Sequence, residues 1–222
     1  CNIPSPKSGF KNFAQYFAKD FEKVFRALGV KSKTVWASEN YRSGKYNKGI
    51  EIVLNNADKI RQIYKNISGS EKPKDWYPLQ VVCPKCGKIG TTRVFDWDGK
   101  TVSFVCEKNM VDWAEGCGYK GQIVPYDGNA KMPYKVETAV KWFTFGTSCE
   151  LAGKDHYTKG GAFYVACEIA REIFKINPAY GFGYEWVLIG GRSMSSSKGI
   201  GVSARDMQQI LPDELLLSLI HI

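Results

Sequence analysis

Histidine is almost missing from this chain: two occur in 222 residues, His156 and the penultimate His221. That scarcity excludes a His-rich metal centre and, with only His156 in the body of the chain, most Ser–His–Asp arrangements. No apolar run approaches the roughly 20 residues of a membrane span, and no stretch has the charged, apolar and small-residue order of a secretory signal. Internal repeats and low-complexity tracts are also missing. Acidic residues are outnumbered, 22 against 31 Lys and Arg, for a net charge of +9. That balance favours an anionic partner such as nucleic acid, but the lysines are scattered, and a basic solvated surface explains the charge nearly as well. With 44% hydrophobic and 24% charged residues, the composition is that of a soluble globular protein of one large or two small domains.

Seven cysteines are present, and four carry metal-like spacing. The others, Cys1, Cys149 and Cys167, suggest no pairing, so a reducing compartment is expected, with cytoplasm the natural choice.

Aromatic and apolar residues recur at helical spacing from Phe10 to Leu28, with Gly29 as the stop. Val35-Trp36-Ala37 reads as a short strand. A second helix is expected from about Tyr46 to Ile67, and the Phe- and Tyr-rich stripes of both helices read as core rather than as a base-stacking surface. Ser68 to Lys74 is a linker by composition. Strands from Gly90 to Trp97 and Lys100 to Cys106 flank Asp98-Gly99, a strong hairpin signal. Beyond Gly128 the pattern alternates. Val136 to Phe143 and Gly161 to Phe174 read as helices, and Ser148 to Ala152 and Tyr184 to Ile189 as strands. Ala204 to Ile210 begins another helix. Such alternation argues for part of a parallel α/β sheet.

Cys83-Pro84-Lys85-Cys86-Gly87 has the form of a zinc knuckle, two thiols on a tight turn. Cys106 and Cys117 form the second pair, with Gly118 after the latter. Four thiolates close a tetrahedral site and leave no open position, so a bound Zn²⁺ is structural. The gap between Cys106 and Cys117 requires Glu107 to Glu115 to protrude as a loop.

Trp186-Val187-Leu188-Ile189 reads as a buried strand opening into Gly190-Gly191-Arg192-Ser193-Met194-Ser195-Ser196-Ser197-Lys198-Gly199. Backbone N–H groups, hydroxyls and one lysine can there meet a polyphosphate; a flexible Ser-rich turn has the same composition. Gly153-Lys154-Asp155-His156 follows a candidate strand, where ligands of open α/β sheets bind. Asp155 can accept from ribose hydroxyls or an ammonium and His156 can donate to a carbonyl or phosphate, or Asp155 can simply cap a helix beside a surface histidine. Tyr134, Glu137 and Trp142 offer an aromatic–carboxylate set for an ammonium, although core aromatics and a solvated Glu137 explain them more simply.

Taken together, these motifs resemble class I lysyl-tRNA synthetase. The Ser-rich stretch is similar to the Lys-Met-Ser-Lys-Ser loop of class I synthetases in its Met-Ser-Ser-Ser-Lys-Gly form. The likeness runs from residue 1 to 216 and includes Tyr41 to Tyr46, Asp58 to Arg61, the four cysteines, Tyr134 to Glu137, Gly153 to Gly161, Glu168 to Phe174 and Tyr184 to Ser203. It implies the second half of a Rossmann catalytic domain carrying an inserted helical and zinc-ribbon subdomain. It further implies an ATP-dependent ligase that forms lysyl-adenylate and charges tRNA(Lys), with ATP and Mg²⁺ used in the reaction and Zn²⁺ structural. By the same resemblance Ser195, Ser196 and Lys198 are catalytic. ATP meets Gly153, Asp155, Met194, Ser195, Ser196 and Lys198, and lysine meets Tyr134, His156 and Tyr184. Cys83, Cys86, Cys106 and Cys117 hold the zinc.

The sequence also departs from the family pattern. Ser193 and Ser196 stand where the generic loop has its lysines, which leaves Lys198, helped by Arg192, as the phosphate cation. Tyr134 and Thr138 replace common tryptophans, and the His-x-Gly-His signature and the anticodon-binding helical domain are not in these residues. The expected division is 1–75 helical and connective, 76–126 zinc ribbon and 127–216 Rossmann half. Residues 217–222 match one frame of a transposase end used in DNA library preparation, and are expected to be an artefact on a fragment that is inactive alone. Rival readings are a zinc-ribbon nucleic-acid-binding module and a class I synthetase of another amino-acid specificity.

Overall fold

The computed structural model describes residues 3–195 and 198–218. It divides into two compact units, one made of Trp36–Gly183 and the other of Cys1–Val35 with Tyr184–Ile222.

The second-named unit opens with α1 (Phe13–Ala27), capped by the Asn12 side chain, which accepts from the Gln15 N–H. Here one expectation is corrected. Phe13, Phe17 and Phe21 are not core: they are 42%, 49% and 57% exposed. Their rings pack on one another along the helix, Phe13 on Phe17 at 4.6 Å. The face carrying Val24 and Glu22 turns inward instead, and Glu22 is bound there by Lys19 and Arg26.

Within Trp36–Gly183, α2 (Ala37–Arg42) starts where a strand was expected. The Trp36 carbonyl accepts from the N–H groups of Glu39 and Asn40, both at 3.1 Å, which commits the segment to a helix. The long helix expected from 46 to 67 is two, α3 (Asn47–Asn55) and α4 (Ala57–Ser68). Asn56 breaks it. Its side-chain amide donates to the Ile52 carbonyl at 2.8 Å, taking the acceptor its own backbone N–H would use.

β1 (Gln80–Val81) then leads into β2 (Thr92–Trp97), β3 (Val102–Cys106) and β4 (Lys120–Ile123), a three-stranded antiparallel sheet with Trp97 opposite Val102 at the Asp98-Gly99 turn. β5 (Ala130–Lys131) returns to pair with β1. α5 (Tyr134–Phe145) follows Pro133, whose fixed φ suits a helix start, and ends at Gly146 with φ 61. β6 (Cys149–Gly153), a single 3₁₀ turn (Lys154–Tyr157), α6 (Ala162–Glu172) and β7 (Tyr180–Tyr184) complete the unit's order. The Tyr180 N–H donates to Ser148 at 2.8 Å, so β6 and β7 start side by side, the parallel arrangement of a β–α–β crossover.

The core is continuous from Ile50, Val53 and Ile60 through Val136, Val140 and Ile169 to Val81, Val94 and Phe104 of the sheets. α3 meets α5 at Gly49, where a Cβ would lie 2.4 Å from Val140 Cγ1.

In the other unit, the strand expected from Tyr184 to Ile189 is shorter and less buried than its composition suggests. β7 ends at Tyr184. Among the described residues β8 (Leu188–Ile189) pairs only with β9 (Arg192–Ser193), around Gly190-Gly191. With one partner strand, Leu188 stays 57% exposed. α7 (Ala204–Ile210) packs on α1, where Arg205 pairs with Asp20, and α8 (Asp213–Ser218) follows. Of the suspected tail, Leu219 to Ile222 lie outside the described residues.

Candidate functional site

The four expected cysteines converge. Their sulfur atoms all lie within 4.8 Å of one another, with Cys83 and Cys117 at 3.6 Å and Cys86 and Cys106 at 3.7 Å. A tetrahedron with Zn–S bonds of about 2.3 Å has sulfur–sulfur edges of about 3.8 Å, so the donor set and its spacing fit a four-thiolate Zn²⁺. The chain brings the first pair together on a tight turn and the second across the loop that separates Cys106 from Cys117. The Gly87 N–H donates to the Cys83 carbonyl and that of Gly118 to Cys106, and both glycines have positive φ, 70° and 74°. Burial pushes the Cys83 thiol up to about 11. For Cys106 burial also acts upward, but the Thr91 hydroxyl, the Cys117 N–H and the neighbouring thiols outweigh it and hold it at about 7. The long gap from Glu107 to Glu115 is a loop closed by Gly116 N–H to Lys108 and by Lys88 to the Glu115 carbonyl. At its tip Trp113 rests against Gly90 and is 76% exposed.

A second group forms around the start of α5 and the end of β6. The rings of Tyr134 and His156 lie 5.6 Å apart. With Thr138, Glu150, Ala152 and Phe163 they enclose a cavity of about 10 Å³, room for one water rather than an amino-acid side chain. Tyr134, on one side of the cavity, is half exposed. Glu150 was not apparent from the sequence. Alternation along β6 would turn Leu151 inward, yet Leu151 is 61% exposed and Glu150 accepts from the buried Trp142 indole N–H at 3.0 Å. The Tyr157 hydroxyl holds the Glu150 carbonyl at 2.6 Å. The one available signal was a tryptophan needing an acceptor.

Glu137 is neither solvated nor part of this group. It is 5% exposed, accepts from Tyr41 at 2.9 Å and pairs with Lys141 at 3.0 Å. Tyr41 in turn accepts from the Met132 N–H, tying α2 to the start of α5. Burial, with Glu137 adding to it, drives the Tyr41 hydroxyl far above its usual value. Burial lowers Lys141, but Glu137 outweighs it and keeps the amine raised.

Gly153 closes β6 immediately before the turn bearing Asp155 and His156. A Cβ on Gly153 would meet the Asp155 carboxylate at 2.8 Å, so the missing side chain lets this exposed carboxylate lie against the backbone. Asp155 does not cap α6, whose N-cap is Gly161. A Cβ on Gly161 would come within 2.7 Å of the His156 and Thr158 carbonyls, and only glycine permits that close turn.

In the other unit, the described residues on either side of Ser196 and Ser197 are tied to one another. Ser195 exchanges backbone hydrogen bonds with Ile200 at 2.7 and 3.0 Å, and the Lys198 N–H donates to the Ser195 carbonyl. Met194 packs on Gly201, and the Lys198 side chain is exposed. Downstream, Ser203 and Asp206 form a capping box for α7. Ser196 and its neighbour Ser197 lie outside the described residues. Tyr184 ends β7 with its side chain 48% exposed.

Comparison with known proteins gives these groups a common context. Residues 1–221 match the family described as tRNA synthetases class I (K). The chain belongs to that family. Similar curated proteins are lysine–tRNA ligases. That of Methanosarcina barkeri (strain Fusaro) is 38% identical over 98% of this chain and 39% of its own length. The ligase of Archaeoglobus fulgidus is 33% identical over 97% of the chain and 42% of its own length; that of Methanocaldococcus jannaschii is 33% identical over 96% and 40%. The chain thus spans about 40% of the length of these class I relatives. Among the described residues no helix is long and apolar enough to cross a membrane.

Proposed function

We propose that this chain is the part of a class I lysine–tRNA ligase that handles lysine and the ATP phosphates. The observation that carries the reading is the Tyr134–His156 pair beside the Glu150 carboxylate, in a chain similar along its whole length to lysine–tRNA ligases. Aromatic faces and a carboxylate suit an alkylammonium ion. Lysine enters when Tyr134 and His156 part, and Tyr184 is a further lysine-binding residue.

In this reading a lysine carboxylate oxygen attacks the ATP α-phosphorus, the bond to the β-phosphate oxygen breaks, and pyrophosphate leaves. A terminal ribose hydroxyl of tRNA(Lys) then attacks the lysyl carbonyl and AMP departs. Gly153 allows close approach of the nucleotide and Asp155 accepts from its ribose. Met194 braces the loop, while Ser195, Ser196 and Lys198 offer hydrogen bonds and positive charge to the phosphates as charge shifts in the transition state. Mg²⁺ accompanying ATP supplies further charge neutralisation. Zn²⁺ on Cys83, Cys86, Cys106 and Cys117 supplies a cross-link. The chain's parts are then 1–75 helical and connective, 76–126 a zinc-ribbon insertion and 127–216 the second half of the Rossmann domain, working in the cytoplasm. A zinc-ribbon nucleic-acid module would account for the charge and cysteines but not for the family match along the whole chain.

The test is a chimera in which this chain replaces the matching segment of the M. barkeri ligase. Lys198→Ala is expected to lower lysine-dependent ATP–pyrophosphate exchange by roughly two to three powers of ten, with a much smaller change in the KM for lysine. His156→Ala is expected to raise that KM more than the KM for ATP. An unchanged rate for Lys198→Ala would reduce the loop to a Ser-rich turn.

A further inference from the structure

Tyr157 ends the 3₁₀ turn Lys154–Tyr157, the turn that carries Asp155 and His156. Its hydroxyl reaches back between two strands. It donates to the Glu150 carbonyl of β6 at 2.6 Å. Burial raises the phenol, and a backbone hydrogen bond from Phe182 of β7 opposes that rise. The two partners define a particular place. β6 and β7 begin side by side with the Tyr180 N–H on the Ser148 carbonyl. Two residues further along each strand, a parallel ladder brings the Phe182 N–H towards the Glu150 carbonyl. The Tyr157 hydroxyl therefore stands at one rung of the ladder, in contact with both strands.

The sequence of β7, Tyr180-Gly181-Phe182-Gly183-Tyr184, makes room for it. Side chains alternate along a strand, so Gly181 and Gly183 share one face, and that face covers the Tyr157 ring. A Cβ would come within 2.5 Å of the ring at Gly181 and 3.0 Å at Gly183. On its other side the ring packs on Phe163 of α6 at 4.6 Å, and Phe163 packs on Trp142 of α5 at 5.6 Å. Ring and hydroxyl together tie one end of the turn to both strands and, through Phe163, to both helices.

We propose that Tyr157 is a positioning residue: its hydroxyl, set between β6 and β7, holds the turn so that Asp155 and His156 stand ready for ATP and lysine. The inference rests on the roles given to those two residues above. A turn already in its bound form loses no freedom when a substrate arrives, and the gain appears in binding rather than in the chemical step. Because one turn carries both residues, both substrates share that gain.

Tyr157→Phe removes the hydroxyl and keeps the ring. In the 222-residue chain, amide hydrogen exchange at Phe182 should then rise by roughly five-fold, the weight of about one net hydrogen bond. In the M. barkeri chimera the KM for lysine and the KM for ATP should rise together, each by roughly five-fold, with kcat changed by less than about two-fold. A merely structural role would do the reverse, lowering the folded fraction and hence kcat while leaving both KM values alone. In a His156→Ala background the effect of Tyr157→Phe on the lysine KM should vanish, and its effect on the ATP KM should remain because Asp155 is still in place. Unaltered KM values, a rise for one substrate alone, or full additivity with His156→Ala overturns the proposal. So does unchanged exchange at Phe182, which would remove the anchor itself. Should the unmutated chimera exchange pyrophosphate with lysine while these results fail, only the assignment of Tyr157 falls; should it not, the functional reading falls and this proposal with it.

Discussion

Replacing Cys83 and Cys117 together by serine is expected to release the metal and loosen the ribbon while leaving the helical core folded. These two sulfurs form one edge of the cluster, 3.6 Å apart, and the two thiols left behind cannot close a tetrahedron. Four-cysteine zinc sites in small modules contribute apparent binding energies of about 10–16 kcal/mol, comparable with the whole stability of a typical domain. The ribbon does not stand alone, because Val94, Val102 and Phe104 join the main core. Only part of that energy should therefore appear as local opening. If a quarter does, about 3 kcal/mol, amide exchange in β2, β3 and β4 rises roughly a hundred-fold. Metal content by elemental analysis should fall from about one zinc per chain to none. Hydrogen exchange followed by mass spectrometry should show the change in 92–123 and little in α5 and α6. Full metal retention by the double variant, or unchanged exchange in the ribbon after metal loss, would refute this reasoning.

Gly49→Ala should destabilise the Trp36–Gly183 unit by about 1–2 kcal/mol in urea unfolding. Overpacking of this kind costs about 1–3 kcal/mol, because the added carbon would sit 2.4 Å from a fully buried, β-branched Val140, and alanine's better helix propensity offsets part of it; an unchanged midpoint would show that α3 and α5 do not meet there. Asp98 accepts from Thr101 Oγ1 and from the N–H groups of Thr101 and Lys100, which hold its carboxyl at about 2 against an ordinary 3.8. A depressed acid stabilises above its ordinary value, and that support is lost as pH falls through 3.8 towards 2; a carboxyl NMR midpoint near the ordinary value would contradict the turn geometry.

Elements announced by local signals were legible in the sequence. Asp98-Gly99 between β2 and β3 and the Cys83 to Gly87 turn each act within a few residues, and the structure forms both as expected. What was illegible depends on distant partners. Whether Phe13, Phe17 and Phe21 are buried is set by what packs on α1, which helical spacing does not encode. The break at Asn56 turns on one side chain taking the Ile52 carbonyl in place of a backbone bond. Trp186 to Ile189 has the composition of a buried strand, but burial needs neighbouring strands and β8 has one among the described residues. The placement of Gly153, Asp155 and His156 at the end of a strand was readable from the strand-like run before them. Glu150 was not, since period-two alternation turns the wrong face of β6 inward until the Trp142 indole is seen to need its carboxylate.

Lysine-dependent ATP–pyrophosphate exchange by the chimera carrying this chain, run in parallel against the other common amino acids, tests the central claim most directly. The account expects exchange with lysine well above every other amino acid, abolished in the Tyr134→Ala/His156→Ala variant while that variant keeps its fold and its zinc. Exchange driven equally well by a different amino acid, or lysine exchange untouched by the loss of both rings, would contradict it.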